Sequence, residues 1–536
     1  VQNVPQTQTP TFDLSNNKTA QITSKKLVDP ATGQPTDETT VTVAGEGTYT
    51  IDPTTGAVTF TPEKDFVGTA TGVKIQAIAT ITNEDGKTST ITSDASYTPT
   101  VVAAVPTAKP ATSKDIQGAT QTGTPTFEGA TVQVNGQDKA ITIKDNSYTL
   151  LDNDGNEVTS TPAYAADGTT EIGTYSIDSA TGQVTFTPTD KSYTGVVTPA
   201  KVQAESSNGI KVDTTYTPEI VPVTPTATPA ETEDIQGATQ TGKPEFKGGT
   251  VTVDGVEKTV AINEAVPATF DDGSTTKTVD GVGTYTVAAD GTVTFVPEKS
   301  FTGEAPAVTV VREDKNGTKA SATYTPTVTP VTPTATPAES TGPQGVVQTG
   351  TVTFTEGDSV APIDKDTITL LDENGQPAAA VFAKSPAGNI IGTFTVDKET
   401  GVVTFTPTDK SYSGEVVPVK VQAKDTNGTV AETTYTPKIT PVVPTADPAT
   451  STDIQGKTQT GTPSFKPGNP AIPMDDDVPA TFEDGTTTKT IPGEGTYTVA
   501  PDGTVTFVPE KSFTGTGTGV TVKRVDKNGT PVTATY

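Results

Sequence analysis

The sequence contains no cysteine, no histidine and no tryptophan, and a single methionine in 536 residues. Each absence removes a class of chemistry. Without cysteine there is no thiol nucleophile, no disulfide and no thiolate metal site. Without histidine there is no imidazole base, no Ser-His-Asp triad and no His-ligated zinc. Basic residues are also scarce: 35 Lys+Arg stand against 64 Asp+Glu, a net charge of −29. That balance argues against nucleic acid as a partner, which needs a Lys/Arg footprint. Glycosidase chemistry needs only two carboxylates and is not excluded by composition. Sugar sites usually offer stacking aromatics, however, and aromatics make up only 6% of the chain.

Long apolar runs are missing too. No stretch approaches the roughly 20 apolar residues of a membrane-spanning helix, so no membrane insertion is expected. The N-terminal VQNVPQTQTPTF has neither the charged nor the apolar region of a signal peptide. The C-terminal KNGTPVTATY stops inside a motif that elsewhere continues, and the chain reads as a piece of a longer protein.

What fills the composition is threonine, roughly one residue in five, with 49 Gly and 44 Pro. Hydrophobic content is only 31%, which raises disorder as a reading. The apolar residues nevertheless recur in short alternating runs, which weakens it.

Internal repetition organises these runs. A block of the form GTYTIDPTTGAVTFTPEKDFVG occurs five times, its first glycines being Gly47, Gly173, Gly283, Gly392 and Gly495. A second marker, PTATPAETEDIQGATQTGKPEF and its variants, opens the later units from Pro106, Pro225, Pro333 and Pro444. The unit is therefore domain-sized, at about a hundred residues. Boundaries are expected at 1–104, 105–221, 222–329, 330–440 and 441–536, the first unit a variant and the rest alternating between two types. Leu150–Gly155 and Leu370–Gly375 mark one type; VPATF-(D/E)-DG marks the other.

Within a unit, Tyr49 and Ile51 alternate with Thr48 and Thr50, and Val58 and Phe60 with Thr59 and Thr61. That period of two predicts half-buried strands with threonine facing water, joined as a hairpin. Asp290-Gly291 and Asp502-Gly503 supply the turn in the third and fifth units. A strand such as Ala200–Ala204 follows, then an Asn-Gly turn at Asn208, Asn316, Asn427 or Asn528, then a TTYTP or ATYTP strand. In the second unit TPTF, ATVQV and KAITI read as three more strands. No window carries a useful 3.6 period. About seven short strands per unit predict an all-β chain: a tandem array of five antiparallel, Ig-like β-sandwich domains forming an elongated rod.

Between units proline recurs every three or four residues, as at Pro326, Pro330, Pro333 and Pro337. This spacing favours polyproline-like, semi-rigid spacers; the other reading makes these residues the first and last strands of adjacent domains. With spacers, units of ~35 Å diameter would reach roughly 200–300 Å in line.

Several clusters invite a site and have a plainer explanation. Leu151–Glu157, with Asp152 and Asp154, and Asp372–Gly375 resemble fragments of a calcium loop, but glycine comes too early and a β-turn explains them. Asp475, Asp476 and Asp477 occur in one unit only and read as a solvated loop. Lys74, Lys201, Lys420 and Lys523 occupy comparable strand positions where a Lys–Asn or Lys–Asp isopeptide bond could replace disulfides; an exposed strand face explains them equally, and the third unit has Val310-Val311-Arg312 there. The sequons at Asn17, Asn316, Asn427 and Asn528 could accept glycan, though the last three lie at hairpin turns. Threonine arrays suggest an ice-binding face, but a unit of this length does not give a flat one. No catalytic, cofactor or metal residues are assigned, and no enzyme is expected.

The combination GTYTxDxxTGxVTFTPxKxFxG … DxNGT … TYTP, with PTATPAxSxDIQGxTQTGTPxF opening the next unit, resembles the CshA-type fibril repeats of streptococcal and related Gram-positive surface adhesins, over essentially the whole chain. The first unit departs most, with SKKLVDPATGQ and TNEDGKTSTITSDASYTP. The resemblance implies a stalk in long cell-surface fibrils. It implies an N-terminal adhesive region that binds a host or microbial ligand, and covalent attachment to the cell wall through a C-terminal region; this sequence shows neither. Lateral association of fibrils is a further expectation. The competing reading is that the repeats bind host matrix or partner cells directly, by multivalent contacts.

Overall fold

The computed structural model describes residues 1–14 and 19–536, so the sequon at Asn17 lies outside the described residues. No helix occurs among them. The chain divides into two compact units. One comprises Val1–Thr228, Glu245–Pro267 and Val311–Ser321; the other comprises Pro229–Pro244, Ala268–Val310 and Ala322–Tyr536.

In the first unit, the second repeat is a two-sheet sandwich. One sheet runs in the order Gln121–Gly123, Val184–Pro188, Glu171–Ile177, Ser160–Tyr164. The other runs Ala111–Ile116, Lys211–Val221, Ala200–Glu205, Thr149–Leu151, Glu157–Val158. The GTY block forms the expected hairpin, with Tyr175 opposite Phe186. Alternation then puts Tyr175, Val184 and Phe186 on the inner face against Leu150, Val202 and Tyr216 of the facing sheet, all buried. The Tyr175 ring lies 5.6 Å from Phe186 and meets Tyr216 edge-on at 6.1 Å. The first repeat builds the same sandwich from Gln6–Gln8, Val58–Pro62, Gly47–Ile51 and Thr40–Val43 against Gln21–Val28, Val73–Thr82 and Thr88–Tyr97.

In the second unit, the fourth repeat pairs Gln348–Thr351, Val402–Pro407, Ile390–Val396 and Ala380–Lys384 in one sheet. Ala338–Pro343, Val430–Thr440, Val419–Asp425, Ile363–Leu371 and Pro377–Ala378 form the other. Leu370, Phe394, Phe405, Val421 and Tyr435 fill the space between them. The fifth repeat packs Tyr497, Val505, Phe507, Phe482 and Val522 in the same way. Outward threonines pair across strands, as Thr278 with Thr284 (3.1 Å) and Thr490 with Thr496 (3.0 Å).

The expected all-β tandem array of mainly antiparallel sheets is present, with one parallel pair added in a sandwich: Ala111–Ile116 runs parallel to Tyr216–Val221, Ala230–Ile235 to Tyr324–Thr329, and Ala338–Pro343 to Tyr435–Thr440. One expectation needs correction: the proline-rich segments are not polyproline spacers. Pro326 lies inside the strand Lys319–Thr329, while Pro330, Pro333 and Pro337 fall in the breaks around Thr334–Thr336 and Ala338–Pro343. Prolines three or four residues apart leave enough N–H groups for short strands, and backbone that can pair in a ladder does so. The alternative reading, first and last strands of adjacent domains, describes these segments.

Candidate functional site

The parallel strand is fixed by a buried polar relay that explains much of the opening marker. Ser113 Oγ lies 2.7 Å from the Tyr216 hydroxyl and donates to Gln121 Oε1 (2.6 Å); Gln121 Nε2 donates to the Glu219 carbonyl (3.0 Å). In the second unit Thr232, Tyr324 and Gln240 repeat it, as do Ser340, Tyr435 and Gln348. The glycine of each QTG makes room for the tyrosine: a Cβ on Gly123, Gly242 or Gly350 would collide with the ring of Tyr216, Tyr324 or Tyr435. Burial pushes the hydroxyls of these tyrosines up from the ordinary value.

The relay presents the next residues, Ile-Gln-Gly, at the edge of the repeat. In the first unit the Gln117 N–H extends the parallel ladder to the Val221 carbonyl (2.8 Å). Its side chain is 1% exposed. Nε2 donates to the Ser192 carbonyl (2.8 Å), and Oε1 accepts from the Val223 N–H (3.2 Å) in the segment leading to the third repeat. Nε2 also reaches Thr318 Oγ1 (2.8 Å), beside the Asn-Gly turn of that repeat. Asn316 Nδ2 in the turn donates to the Gln117 carbonyl (2.7 Å). Three of these hydrogen bonds, with the Val223 N–H, Thr318 Oγ1 and Asn316 Nδ2, clasp the second repeat to the third. Lys258 adds an ion pair to Asp115 (2.5 Å) across the same junction.

The motif recurs. In the first unit Asn208 Nδ2 donates to the Ala104 carbonyl (3.0 Å) and the Gln2 carbonyl (3.2 Å) of the first repeat. In the second unit Asn427 Nδ2 donates to the Gln236 carbonyl (3.0 Å) and Asn528 Nδ2 to the Gln344 carbonyl (2.7 Å). Gln236 binds the Lys299 carbonyl (2.9 Å) and the Val331 N–H (3.2 Å); Gln344 binds the Ser411 carbonyl (2.6 Å) and the Val442 N–H (3.1 Å). The glycine after each glutamine has φ near the left-handed region, +86° at Gly237, and a Cβ there would lie 2.6 Å from Asn427 Oδ1. In the first repeat Asn3 takes this position at φ 61°, and its Oδ1 accepts from the Asp65 N–H (2.9 Å).

The clasping turns of the third, fourth and fifth repeats are shaped by an aspartate two residues before the asparagine. Asp425 Oδ1 accepts from the N–H of Asn427 (3.0 Å) and Thr429 (2.8 Å), and Asp314 and Asp526 do the same in their turns. The other oxygen of each is buried without a hydrogen-bond partner among the described residues. In the second repeat Ser206 replaces it, with Oγ 2.5 Å from Asn208 Oδ1.

The residues singled out from the sequence take these places. Asp152 and Asp372 are turn-formers: Asp152 Oδ1 accepts from the N–H of Asp154 (2.9 Å) and Asn156 (2.8 Å), and Asp372 Oδ1 from Asn374 and Gln376 (both 2.8 Å). The Asn156 N–H, the leading cause, holds the Asp152 carboxyl below its usual range. Asp475 and Asp477 bind Lys527 (2.6 and 2.7 Å), and Asp476 binds Arg524 (2.7 Å). No group of three or more acidic side chains is placed to hold a metal among the described residues. Lys74, Lys201 and Lys420 are exposed, Lys420 pairing with Glu432 (2.8 Å), and Lys523 is half-buried. Arg312, in the third repeat, is buried and donates to Glu264 (2.8 Å). Asn316, Asn427 and Asn528 serve the clasp. Sequence reasoning read these asparagines only as turn residues and missed their partner glutamines. The available signal was that both Gln-Gly and Asn-Gly recur at fixed places at the repeat edges.

No curated protein sequence matches the chain. Among solved structures, mouse cadherin-23 EC22-24 aligns at 15% identity over 63% of this chain and 100% of its own, with a TM-score of 0.27. The human desmocollin-1 ectodomain aligns at 12% identity over 98% and 94%, with a TM-score of 0.20. The family described as the surface adhesin CshA repetitive domain matches five times in tandem, at residues 1–101, 103–220, 222–328, 330–439 and 441–536, and the chain belongs to that family.

Proposed function

We propose that this adhesin repeat region is the stalk of a fibrillar surface adhesin, holding a distal adhesive region away from the cell wall. Family membership places the chain in an extracellular surface protein. The observation that carries the stalk reading is the clasp. Residues at repeat edges, Asn427 with Gln236 and Asn528 with Gln344 in one unit, Asn316 with Gln117 in the other, are spent on the preceding repeat. Such contacts restrict the swing of consecutive domains, which a spacer must do and an independent binding module need not. In this reading the role is structural and non-enzymatic, with repeats meeting near 104/105, 221/222, 329/330 and 440/441. The wall anchor and the ligand-binding tip belong to other parts of the protein. A net charge of −29 spread over the repeats keeps neighbouring stalks apart and soluble, less so as salt screens it. Small-angle scattering tests the proposal. A stalk gives a maximum dimension several times the ~35 Å of one repeat; a single compact globule overturns it.

A further inference from the structure

The chain holds six Asn-Gly pairs, at Asn135, Asn208, Asn316, Asn374, Asn427 and Asn528. This dipeptide is chemically labile because glycine leaves its own nitrogen unhindered. The glycine backbone nitrogen attacks the asparagine Cγ, and the Cγ–Nδ2 bond breaks. The side-chain nitrogen leaves as ammonia, with the proton given up by the glycine amide, and a cyclic imide remains. Solvent water then opens the ring to aspartate or isoaspartate.

Two turns of the fourth repeat form a matched pair. In both, an aspartate Oδ1 accepts from the asparagine N–H and from the N–H two residues further on: Asp372 at 2.8 and 2.8 Å, Asp425 at 3.0 and 2.8 Å. In both, the glycine N–H donates to the aspartate carbonyl, Gly375 at 3.0 Å and Gly428 at 2.9 Å. The glycines adopt φ of +74° and +87°. The attacking nitrogen is thus held alike. The asparagine side chains differ: Asn374 is exposed, whereas Asn427 is buried, with Nδ2 bonded to the Gln236 carbonyl and Oδ1 lying over Gly237. Rotation of Cγ towards the glycine nitrogen requires that side chain to leave the clasp.

We propose that the junction asparagines Asn208, Asn316, Asn427 and Asn528 are conditional deamidation sites, protected while the repeats are clasped and converted when a junction opens. The product carries an acceptor-only carboxylate where Nδ2 donated, and it faces the glutamine carbonyl, so a converted junction does not re-form its bond. Opening is thereby made irreversible, one junction at a time, and the fraction converted records how often each has been open.

Peptide mapping by mass spectrometry of the intact chain, held at mildly alkaline pH, tests this. Asn374 and Asn135 convert first, and Asn427, Asn528 and Asn208 at least about tenfold more slowly, in proportion to the rarity of local opening. In denaturing urea the difference collapses, which fixes the intrinsic rates. Gly237→Ala, which places a Cβ against Asn427 Oδ1, accelerates Asn427 alone and leaves Asn208 at its protected rate. Should that variant fail to fold the fourth repeat, Asn528, whose partner Gln344 lies in that repeat, would accelerate as well, and Gln236→Ala is the milder replacement. Equal rates at Asn374 and Asn427 in the folded chain overturn the proposal. So does a folded Gly237→Ala variant in which Asn427 converts no faster.

Discussion

Asp234-Ile235-Gln236-Gly237 and Asp453-Ile454-Gln455-Gly456 are the same four residues in the same marker of two type-matched repeats. Their structures differ. The first pair of residues ends a parallel strand, Ala230–Ile235, and Gln236 is 4% exposed beneath Asn427. The second set forms no strand, Ile454 is 70% exposed and Gln455 is exposed too. Gln455 keeps one bond, from Nε2 to the Lys511 carbonyl (2.9 Å), the counterpart of Gln236 to Lys299. What it lacks lies outside the motif. Tyr536, the last residue of this sequence, stands where Tyr324 opens the parallel pairing of the third repeat, so the residues that close on Gln236 have no counterpart here, and a Cβ on Gly456 would meet nothing within 4 Å. The motif is one half of a joint, and its order comes from the residues that close on it.

The largest break in this symmetry comes from the glycine. Gly237 and Gly456 both hold positive φ, +86° and +81°, so alanine costs about 1–2 kcal/mol of backbone strain at either. Only at Gly237 does the new Cβ also displace Asn427. Gly237→Ala should therefore destabilise its junction by about 2–4 kcal/mol, and Gly456→Ala by the strain alone. A repeat array does not unfold as one two-state unit, so the readout is local: hydrogen exchange of the Val331 N–H for the first and of the Tyr536 N–H for the second. Equal effects would show that the clasp contributes nothing beyond the turn.

The glutamine gives a smaller contrast. Gln236→Ala removes the bonds to the Lys299 carbonyl and from the Val331 N–H and leaves both groups beside a buried void. The expected loss is about 2–3 kcal/mol, read as faster exchange of the Val331 N–H. Gln455→Ala removes one exposed bond and should cost less than about 0.5 kcal/mol. If the two variants lose the same stability, the buried amide is not what joins the repeats.

The strands and the core were legible because their signal is local. Alternation placed Tyr49, Ile51, Val58 and Phe60 on one inner face before any pairing was known, and Asp-Gly and Asn-Gly marked the turns. The proline-rich segments were misread because proline spacing alone does not tell whether a partner strand is near. Pro326 is strand because Thr232 lies beside it in the parallel pair and the Ala305 N–H bonds its carbonyl (2.9 Å). The clasp was missed for the same reason, since recurrence marks its two halves without pairing them. Asn374 and Asn427 sit in turns of one pattern, Asp-x-Asn-Gly, and only the fold brings Gln236, almost two hundred residues from Asn427, to one of them. Threonine, glycine and glutamine inside a repeated marker carry no charge or hydrophobicity that would single them out.

The smallest expected effect is that of pH, and it leaves the comparison between the two motifs intact. The joint at Gln236 rests on amides and carbonyls, none of which titrates, and the chain has neither histidine nor cysteine to change charge near neutrality. Hydrogen exchange at Val331, corrected for intrinsic rate, should report the same local stability from about pH 5 to about pH 9. Above that range the buried tyrosines act. Burial is the main cause that raises the Tyr285 hydroxyl from 10.0 to about 12, where it donates to the Pro306 carbonyl (2.7 Å). As pH rises past 10 the unfolded chain releases the phenolic proton while the folded chain keeps it, so the unfolded state gains. Stability should be fully present below pH 10 and fall progressively to about 12. Tyr285→Phe should flatten part of that fall. A transition near pH 7 in the wild-type chain would mean that some group other than these tyrosines governs the junction.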